Sequence, residues 1–452
     1  MSTALAPSPV RFDLPGALRR HWPLLPLAAT VLLLCAPLPA GDATASGKVT
    51  PADAASLLLV FCCAVQALRG RTRRLSPLGA FLLGLPAAGL AVATVTAADP
   101  YAALPGFVRY LQVFVLVPAA VVLLLRDARE FRLAGACFVA LALVQGAVGV
   151  VQFATGTGAS YQGSDIRAVG TFGPGDVMGM ATVVAYGLII ATAAALTPTP
   201  AHRVRRAAAV SALALLVPLG LSFSRGAWIA TVGAGLVVML MAGVRRALKV
   251  LVALGAAGVV LVGGFGLGSE MIAERLGSIT QVSSAPDQSV TDRYTMWAAA
   301  ESMWRERPAA GVGLKGFPAN RDSHSSLGLS SGSDTAGAGQ AFIRQPLLSP
   351  HNMYLLVLSE QGLIGLTALV GGWAALLVAG VRRVLAPDPA ARRIRDCGLI
   401  AAGLFVWQLT DFLYADIGGP STVLTGVIIG LAAWWALPSP AGDGALDRAA
   451  AA

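Results

Sequence analysis

The stretch SPHNMYLLVLSEQGLIGLTALVGGWAALLVAGVRR, residues 349–383, decides the fold. A polar start that holds a histidine leads into a long apolar run, which ends at Arg382 and Arg383. A helix needs about 20 apolar residues to cross a bilayer core about 30 Å thick. Lipid offers no partner to open backbone groups, so such a run must be helical. The stretch therefore predicts a transmembrane helix over residues 352–381.

The rest of the chain repeats this pattern. Of its 452 residues, 56% are hydrophobic and only 12% are charged, which excludes a soluble globular protein. The apolar runs predict an all-α polytopic membrane protein with about twelve transmembrane helices, folded as a single integral membrane domain over residues 1–452. The predicted spans are 22–40, 52–68, 76–97, 105–125, 133–154, 176–197, 207–222, 226–244, 248–267, 352–381, 396–415 and 421–438.

Short basic clusters orient these helices. Clusters lie in alternate loops, near residues 69–74, 126–132, 203–206, 245–249 and 382–395. By the positive-inside rule these loops face the cytoplasm, and both termini lie there too. The net charge of +10 comes from such clusters, so it predicts no nucleic-acid partner. The implied location is a bacterial cytoplasmic membrane.

The first apolar run has two interpretations. Arg19 and Arg20 precede it and small residues follow it, as in a cleaved signal peptide. The letters LLLCA at residues 32–36 also resemble a lipoprotein cleavage site, although Leu34 is too large for one. We expect a retained membrane helix, with cleavage as the alternative. All five cysteines lie within apolar runs, which predicts buried thiols without a disulfide or metal role.

One long loop, residues 268–350, is predicted on the extracytoplasmic side. Ser289 and Asp292 form a capping-box pattern, and Trp297, Ala300 and Trp304 share one helical face. We interpret this part as an amphipathic helix on the outer membrane surface. The second half of the loop is rich in serine and glycine.

Two residues at the predicted outer face suit chemistry at a hydroxyl and a phosphate. His351 directly precedes the span at residues 352–381. A histidine titrates near neutral pH, which suits a general base. Arg225 stands in the very short connection SFSRG, where a guanidinium close to the bilayer is costly unless it meets an anion. The structural alternatives are an interfacial histidine at a helix start and an arginine that reaches lipid headgroups.

Two more arginines extend the set. Arg167 lies in a glycine-rich outer loop, and glycines let a backbone approach a ligand closely. Arg293 lies on the predicted amphipathic helix. An ordinary glycine-rich turn and a solvated surface charge are the alternatives. Three arginines and a histidine on one face predict a site that binds a diphosphate and deprotonates an acceptor.

These segments resemble the O-antigen ligase and polymerase superfamily. The resemblance rests on His351, Asn352, Gly362 and Gly365, in the order His-Asn, nine residues, Gly, two residues, Gly. SFSRGAW resembles the family's Ser-Arg-Gly segment, and RAVGTFG resembles its Arg-x-x-Gly-Thr-Phe segment. The stretch from Arg293 to Gly313 resembles its outer loop. One departure is that Pro174, Gly175 and Asp176 stand where the family often has asparagines.

The resemblance implies a membrane glycosyltransferase of cell-envelope polysaccharide biosynthesis. Such an enzyme moves a preassembled glycan from undecaprenyl diphosphate to a glycan, lipid or protein acceptor outside the cytoplasm. By analogy, His351 and Arg225 are catalytic, whereas Arg167, Arg293, Asn352, Gly362 and Gly365 bind substrate. The scattered outer aspartates form no Asp-x-Asp cluster, so we expect a metal-independent reaction. We also expect inversion at the anomeric carbon and no cofactor.

A transporter or flippase for lipid-linked glycans is the competing hypothesis. Glu360 and Asp411 would then be proton-coupling groups within the membrane. Inverted repeats are not evident in the sequence, and the candidate residues crowd one face, which favours catalysis. Ligase and polymerase share these motifs, so both remain open.

Overall fold

The computed structural model describes residues 22–37, 50–161, 164–173, 176–198, 201–245, 248, 288–325, 333–335, 343–345 and 347–438. The described helices are α1 (Leu25–Leu32), α2 (Pro51–Leu68), α3 (Pro77–Val95), α4 (Pro100–Leu111), α5 (Val117–Leu124), α6 (Ala128–Thr155), α7 (Gly179–Leu196), α8 (His202–Leu221), α9 (Arg225–Ala242), α10 (Gln288–Glu306), α11 (Phe317–His324), α12 (Met353–Leu385), α13 (Pro389–Arg393), α14 (Arg395–Asp411) and α15 (Thr422–Ala436). Two antiparallel hairpins pair β1 (Ala159–Tyr161) with β2 (Ser164–Arg167) and β3 (Ser333–Thr335) with β4 (Ile343–Gln345).

Eight of the described helices are long and apolar enough to cross a membrane, so the chain is a multi-pass membrane protein. They are α2, α3, the continuous unit Pro100–Leu124 formed by α4 and α5, α6, α7, α8, α9 and α12. The predicted number of twelve is not confirmed. The runs at 22–40 and 421–438 hold shorter apolar helices, Trp22–Cys35 and Thr422–Ala436, and α14 has only 17 residues. All but one residue of the predicted span 248–267 lies outside the described residues.

The short helix α15 lies in the protein interior. All 15 of its residues are buried, and it packs against α5, α12 and α14. A helix that is apolar on every side suits such a position. Nearby, the Tyr186 hydroxyl lies 2.6 Å from Gln408 Oε1, and the Trp407 indole N–H donates to Thr231 at 2.9 Å. These hydrogen bonds provide partners for the buried side chains of Tyr186, Gln408, Trp407 and Thr231.

Arginines cap α15 at one end of the bundle. Arg73 donates to the carbonyls of Trp434 and Leu437, at 3.2 and 2.7 Å, and Arg383 donates to the carbonyl of Trp435 at 2.6 Å. These are carbonyls of the last helical turn, which a helix leaves without internal partners. We call this the arginine end, because the basic clusters flank the helix ends here. The opposite end carries His351 and is called the histidine end.

Helix α12 is broken at Gly362, whose φ and ψ are 62° and −161°. A broken helix leaves backbone donors and acceptors open. The segment Pro308–Gly313, which we call the clasp, satisfies four of them. The N–H groups of residues 363 and 364 donate to the carbonyls of 308 and 309, at 2.9 and 3.1 Å. The N–H groups of residues 312 and 313 donate to the carbonyls of 359 and 360, at 2.8 and 3.0 Å. The long loop is therefore fixed to α12 by backbone pairing.

A helix was predicted within the long loop, and α10 is present there. It begins at Gln288, one residue before the predicted cap, Ser289. Its buried face consists of Met296, Ala299, Ala300 and Met303 and packs with residues of the clasp, α11 and α12. Trp297 and Trp304, predicted on the apolar face, lie half-buried beside it. Protein therefore covers one apolar face of α10, and contact of the Trp297 and Trp304 side with the membrane surface stays a prediction.

Candidate functional site

The residues on both sides of His351 are held by hydrogen bonds to other parts of the protein. The indole N–H of Trp297 on α10 donates to the carbonyl of Pro350 at 2.8 Å. On the other side, the side-chain amide of Asn352 donates to the carbonyl of Leu413 at 2.8 Å. The N–H of Met353 lies 2.9 Å from the carbonyl of Phe412. The histidine is therefore fixed between the long loop and the segment that follows α14.

The backbone of His351 is left-handed, with φ of 48°. This conformation costs about 1–2 kcal/mol in a residue with a Cβ atom, although histidine adopts it more often than most residues. Asn352 then caps α12, since its Oδ1 accepts the N–H of Leu355 at 3.0 Å. Strain of this kind persists only where neighbouring contacts enforce it, and it is concentrated at functional sites.

The surroundings of His351 favour the neutral form of its imidazole. Burial lowers the pKa of His351 below its ordinary value of 6.5. The Asp416 carboxylate opposes this shift, and the Arg293 guanidinium adds to it. A neutral imidazole at pH 7 can accept a proton, as a general base must. The same electrostatic coupling places Arg293 and Asp416 near His351.

Arg225 is the first residue of α9. Ser224 caps the helix, its Oγ accepting the N–H of Ala227 at 3.3 Å, and Phe223 before it is left-handed with φ of 49°. A helix N-terminus carries partial positive charge and favours anions, so an arginine side chain here adds to an anion-attracting end. The arrangement can hold a phosphate with guanidinium and backbone N–H groups together.

Arg167 lies against the same turn. Its Nε donates to the carbonyl of Ser222 at 2.9 Å, and the N–H of Ala168 donates to the carbonyl of Leu221 at 3.1 Å. Met178 contacts both segments, since its Sδ lies 3.9 Å from Arg167 Nη2 and 3.3 Å from Ser224 Oγ. The structure thus joins two motifs that are far apart in the sequence.

Arg293 connects this turn to the histidine. Its guanidinium acts on the pKa of both His351 and Tyr414. The Tyr414 hydroxyl donates to the carbonyl of Gly226, and its ring lies so close to Gly226 that no side chain would fit there. Tyr414 therefore links the start of α9 to the surroundings of Arg293 and His351.

Gly362 and Gly365 have packing contacts. A Cβ at Gly362 would collide with the clasp at Ala309 and Ala310. A Cβ at Gly89 of α3 would lie 2.9 Å from the Cα of Gly365, so α3 and α12 cross closely there. The prediction that both glycines bind substrate stays a prediction.

Comparison with known proteins adds a family. A family model described as O-antigen ligase matches residues 209–370. The matched segment covers 162 of the 452 residues, and over this segment the chain resembles the O-antigen ligase family. No curated protein matches the chain. The matched residues include Arg225, Arg293, His351 and both glycines of the His-Asn motif, and the match indicates a membrane enzyme that transfers glycans.

The matched segment leaves out several residues that complete the candidate site. Arg167 precedes it, and Tyr414 and Asp416 follow it. The sequence reasoning missed Tyr414 and Asp416, although the letters DFLYAD at residues 411–416 put polar groups directly after an apolar run. Asp416 Oδ2 is buried and has no hydrogen-bond partner among the described residues.

Asp176 marks the departure from the family pattern. Its Oδ1 accepts the N–H of Gly179 at 2.9 Å, and burial raises its pKa to about 6. Its side chain lies close to Phe172 and Gly419. Residues 174 and 175 lie outside the described residues. Asp176 therefore supports the start of α7, and Met178 connects that turn to Arg167.

The described residues give no indication of a metal. Within the described ranges, no group of three or more His, Cys, Asp or Glu side chains could hold one. All five cysteines are free thiols; Cys63 and Cys397 are buried as predicted, whereas Cys35, Cys62 and Cys137 are only half-buried. A mostly apolar cavity of about 50 Å³ lies between the end of α1, the start of α2, Phe172 and Pro420. It is lined by none of the predicted site residues.

Proposed function

We propose that this protein is a glycosyltransferase of the outer face of the cytoplasmic membrane. It moves a preassembled glycan from a polyprenyl diphosphate donor to an acceptor hydroxyl, as a ligase or polymerase of envelope polysaccharide. The observation that carries the proposal is that His351 is fixed through its neighbours, lies near Arg293, and is linked through Tyr414 to the start of α9 at Arg225.

The proposed reaction is a single displacement. His351 takes the proton from the acceptor hydroxyl while its oxygen attacks the anomeric carbon of the donor sugar. The bond between that carbon and the phosphate oxygen breaks, and both of its electrons leave with the diphosphate. One displacement inverts the anomeric configuration. A positioned base contributes about 10²- to 10⁴-fold to such a step.

The arginines have the complementary role. Negative charge grows on the diphosphate as the bond breaks, and preorganised cations stabilise that transition state. Arg225 and Arg167 flank the Ser222–Ser224 turn, so we assign the leaving diphosphate to them. Arg293, between this turn and His351, is assigned to the donor sugar or its nearer phosphate. These positive charges would do the work that a metal does elsewhere, so the reaction is metal-independent.

Asn352 and the two glycines of the motif have supporting roles. Both polar atoms of the Asn352 side chain bind the chain, at Leu355 and Leu413, which orients the neighbouring His351. Gly362 lets the clasp approach α12 closely, and Gly365 lets α3 do so. We assign both glycines to the packing that supports the site.

The deciding experiment uses purified protein in detergent. Radiolabelled polyprenyl diphosphate glycan is supplied together with an envelope acceptor fraction, and transfer of label is measured. Detergent provides no membrane barrier, so turnover supports a transferase. A protein that moves no label in detergent but carries the lipid across reconstituted vesicles would be a flippase.

The proposed orientation has its own test. In a cysteine-free background, Ser323→Cys in α11 should react with a membrane-impermeant maleimide in intact spheroplasts, whereas Pro387→Cys at the arginine end should not. Both positions are exposed. The reverse labelling pattern would put the candidate site in the cytoplasm and contradict the proposal.

A further inference from the structure

Two aromatic rings stand on α10 next to the histidine. Tyr294 and Trp297 contact edge to face, with ring centroids 5.5 Å apart and planes at 90°. The Trp297 indole N–H is bound to the carbonyl of Pro350, one residue before His351. Tyr294 directly follows Arg293. Trp297 is therefore hydrogen-bonded to the residue before the candidate base, and Tyr294 is adjacent in sequence to Arg293 of the candidate anion site.

These rings are not needed to bury the helix. The buried face of α10 runs through Met296, Ala299, Ala300 and Met303. Tyr294 lies off that face and leaves 54% of its surface exposed. Trp297 is half-buried, and its edge-to-face contact with the tyrosine ring limits the movement of that ring. A large exposed ring that is supported in this way offers a rigid contact surface at low entropic cost.

The chemistry of such a surface fits a sugar. A pyranose ring has polar hydroxyls around its edge and C–H bonds on its faces, so one face can pack on an aromatic ring. Tyrosine adds a hydroxyl at its rim that can bond to the edge of a sugar. We infer that Tyr294 and Trp297 form a platform on which a sugar ring of the acceptor glycan stacks. This inference rests on the proposed function.

The acceptor fits the platform better than the donor does. The donor diphosphate is assigned to Arg167 and Arg225, which lie together at the Ser222–Ser224 turn. The platform is instead bound directly beside His351, where the attacking hydroxyl must lose its proton. A sugar ring stacked on it keeps its edge hydroxyls uncovered, so that one of them can be the attacking group. Fixing the hydroxyl in this way supplies the orientation that a displacement requires.

The test compares acceptor and donor kinetics in purified protein. Tyr294→Ala should raise the KM for the acceptor glycan about tenfold, the magnitude of one aromatic stacking contact. The KM for the lipid-linked donor should stay unchanged, because the arginines remain. Tyr294→Phe keeps the ring and should restore most of the acceptor affinity. The matched control is Tyr101→Ala, since Tyr101 on α4 is 84% exposed at the same end of the bundle.

Each outcome decides the inference. An acceptor KM that responds to Tyr294→Ala no more than to Tyr101→Ala overturns the platform, as does an equal rise in the donor KM, and both leave the proposed function standing. If the wild-type protein transfers nothing, the proposed function fails. The platform is then judged by equilibrium binding of a labelled repeat-unit oligosaccharide, released by mild acid from the polyprenyl-linked pool. Equal binding by wild type and Tyr294→Ala overturns it, and weaker binding by the variant supports it.

Discussion

The starts of α9 and α12 are built alike but carry different chemistry. Each has a left-handed residue other than glycine, Phe223 or His351, followed by a capping residue, Ser224 or Asn352. At α12 the candidate functional residue is the left-handed one, and its neighbours are tied on both sides. At α9 it is Arg225, the first helical residue, on a long side chain.

This difference matches what each group must do. A general base must lie within hydrogen-bond distance of one proton, so its position needs to be fixed. A guanidinium acts on a diphosphate through charge and a planar fork, and it can adjust as the phosphate moves. At α12 the strained residue is therefore the histidine itself, whereas at α9 it is Phe223, in the turn before the arginine.

The largest expected effect is at the histidine. His351→Ala should reduce transfer by at least about 10²-fold, because it removes the only group assigned to proton removal. Binding of the lipid-linked donor should persist, since the arginines hold the diphosphate. Donor binding and turnover are measured on the same preparation. The control is His202→Ala, an exposed histidine at the arginine end. Loss of donor binding together with turnover would move His351 into the diphosphate site.

Arg225→Lys should have the next largest effect. Lysine keeps the charge but loses the planar fork, so turnover should fall about tenfold or more while the protein remains folded in the membrane. Arg305→Lys on the exposed face of α10 is the matched control. Unchanged turnover in Arg225→Lys would mean that charge alone suffices, or that the arginine reaches lipid headgroups.

These two starts also show what sequence reasoning could and could not reach. The motifs pointed to His351, Arg225, Arg167 and Arg293, and the structure brings their segments to one end of the bundle. Periodicity cannot reveal Tyr414 and Asp416, because a tertiary turn after α14, not a repeat, brings them to the site. Hydropathy alone also cannot separate a membrane span from a buried helix, since the fully buried α15 is strongly apolar whether protein or lipid surrounds it.

The clasp provides a stability prediction of intermediate size. Gly362→Ala should lower the unfolding temperature, because alanine disfavours φ of 62° with ψ of −161° by about 1–3 kcal/mol and its Cβ would collide with Ala309. Gly371→Ala, also in α12, has open space at the new Cβ and should be neutral or slightly stabilising. Thermal unfolding of both variants in detergent gives the comparison. Equal unfolding temperatures would show that the clasp does not hold the break.

The smallest expected effect is a shift in pH dependence, and it tests the electrostatic side of the comparison. Burial and Arg293 hold the pKa of His351 below its ordinary 6.5, so the base stays neutral at pH 7 and kcat/KM should fall only below about pH 6.5. Asp416 raises that pKa, because its carboxylate favours the imidazolium. Asp416→Asn removes this effect, so the pKa should drop further and the acid limb should move to lower pH. The expected displacement is a fraction of a pH unit to about one unit, the usual range for a single neighbouring charge.

Asp322→Asn, an exposed carboxylate on α11, should leave the limb in place. A limb that moves to higher pH in Asp416→Asn, or that persists unchanged in His351→Ala, would show that a different group titrates.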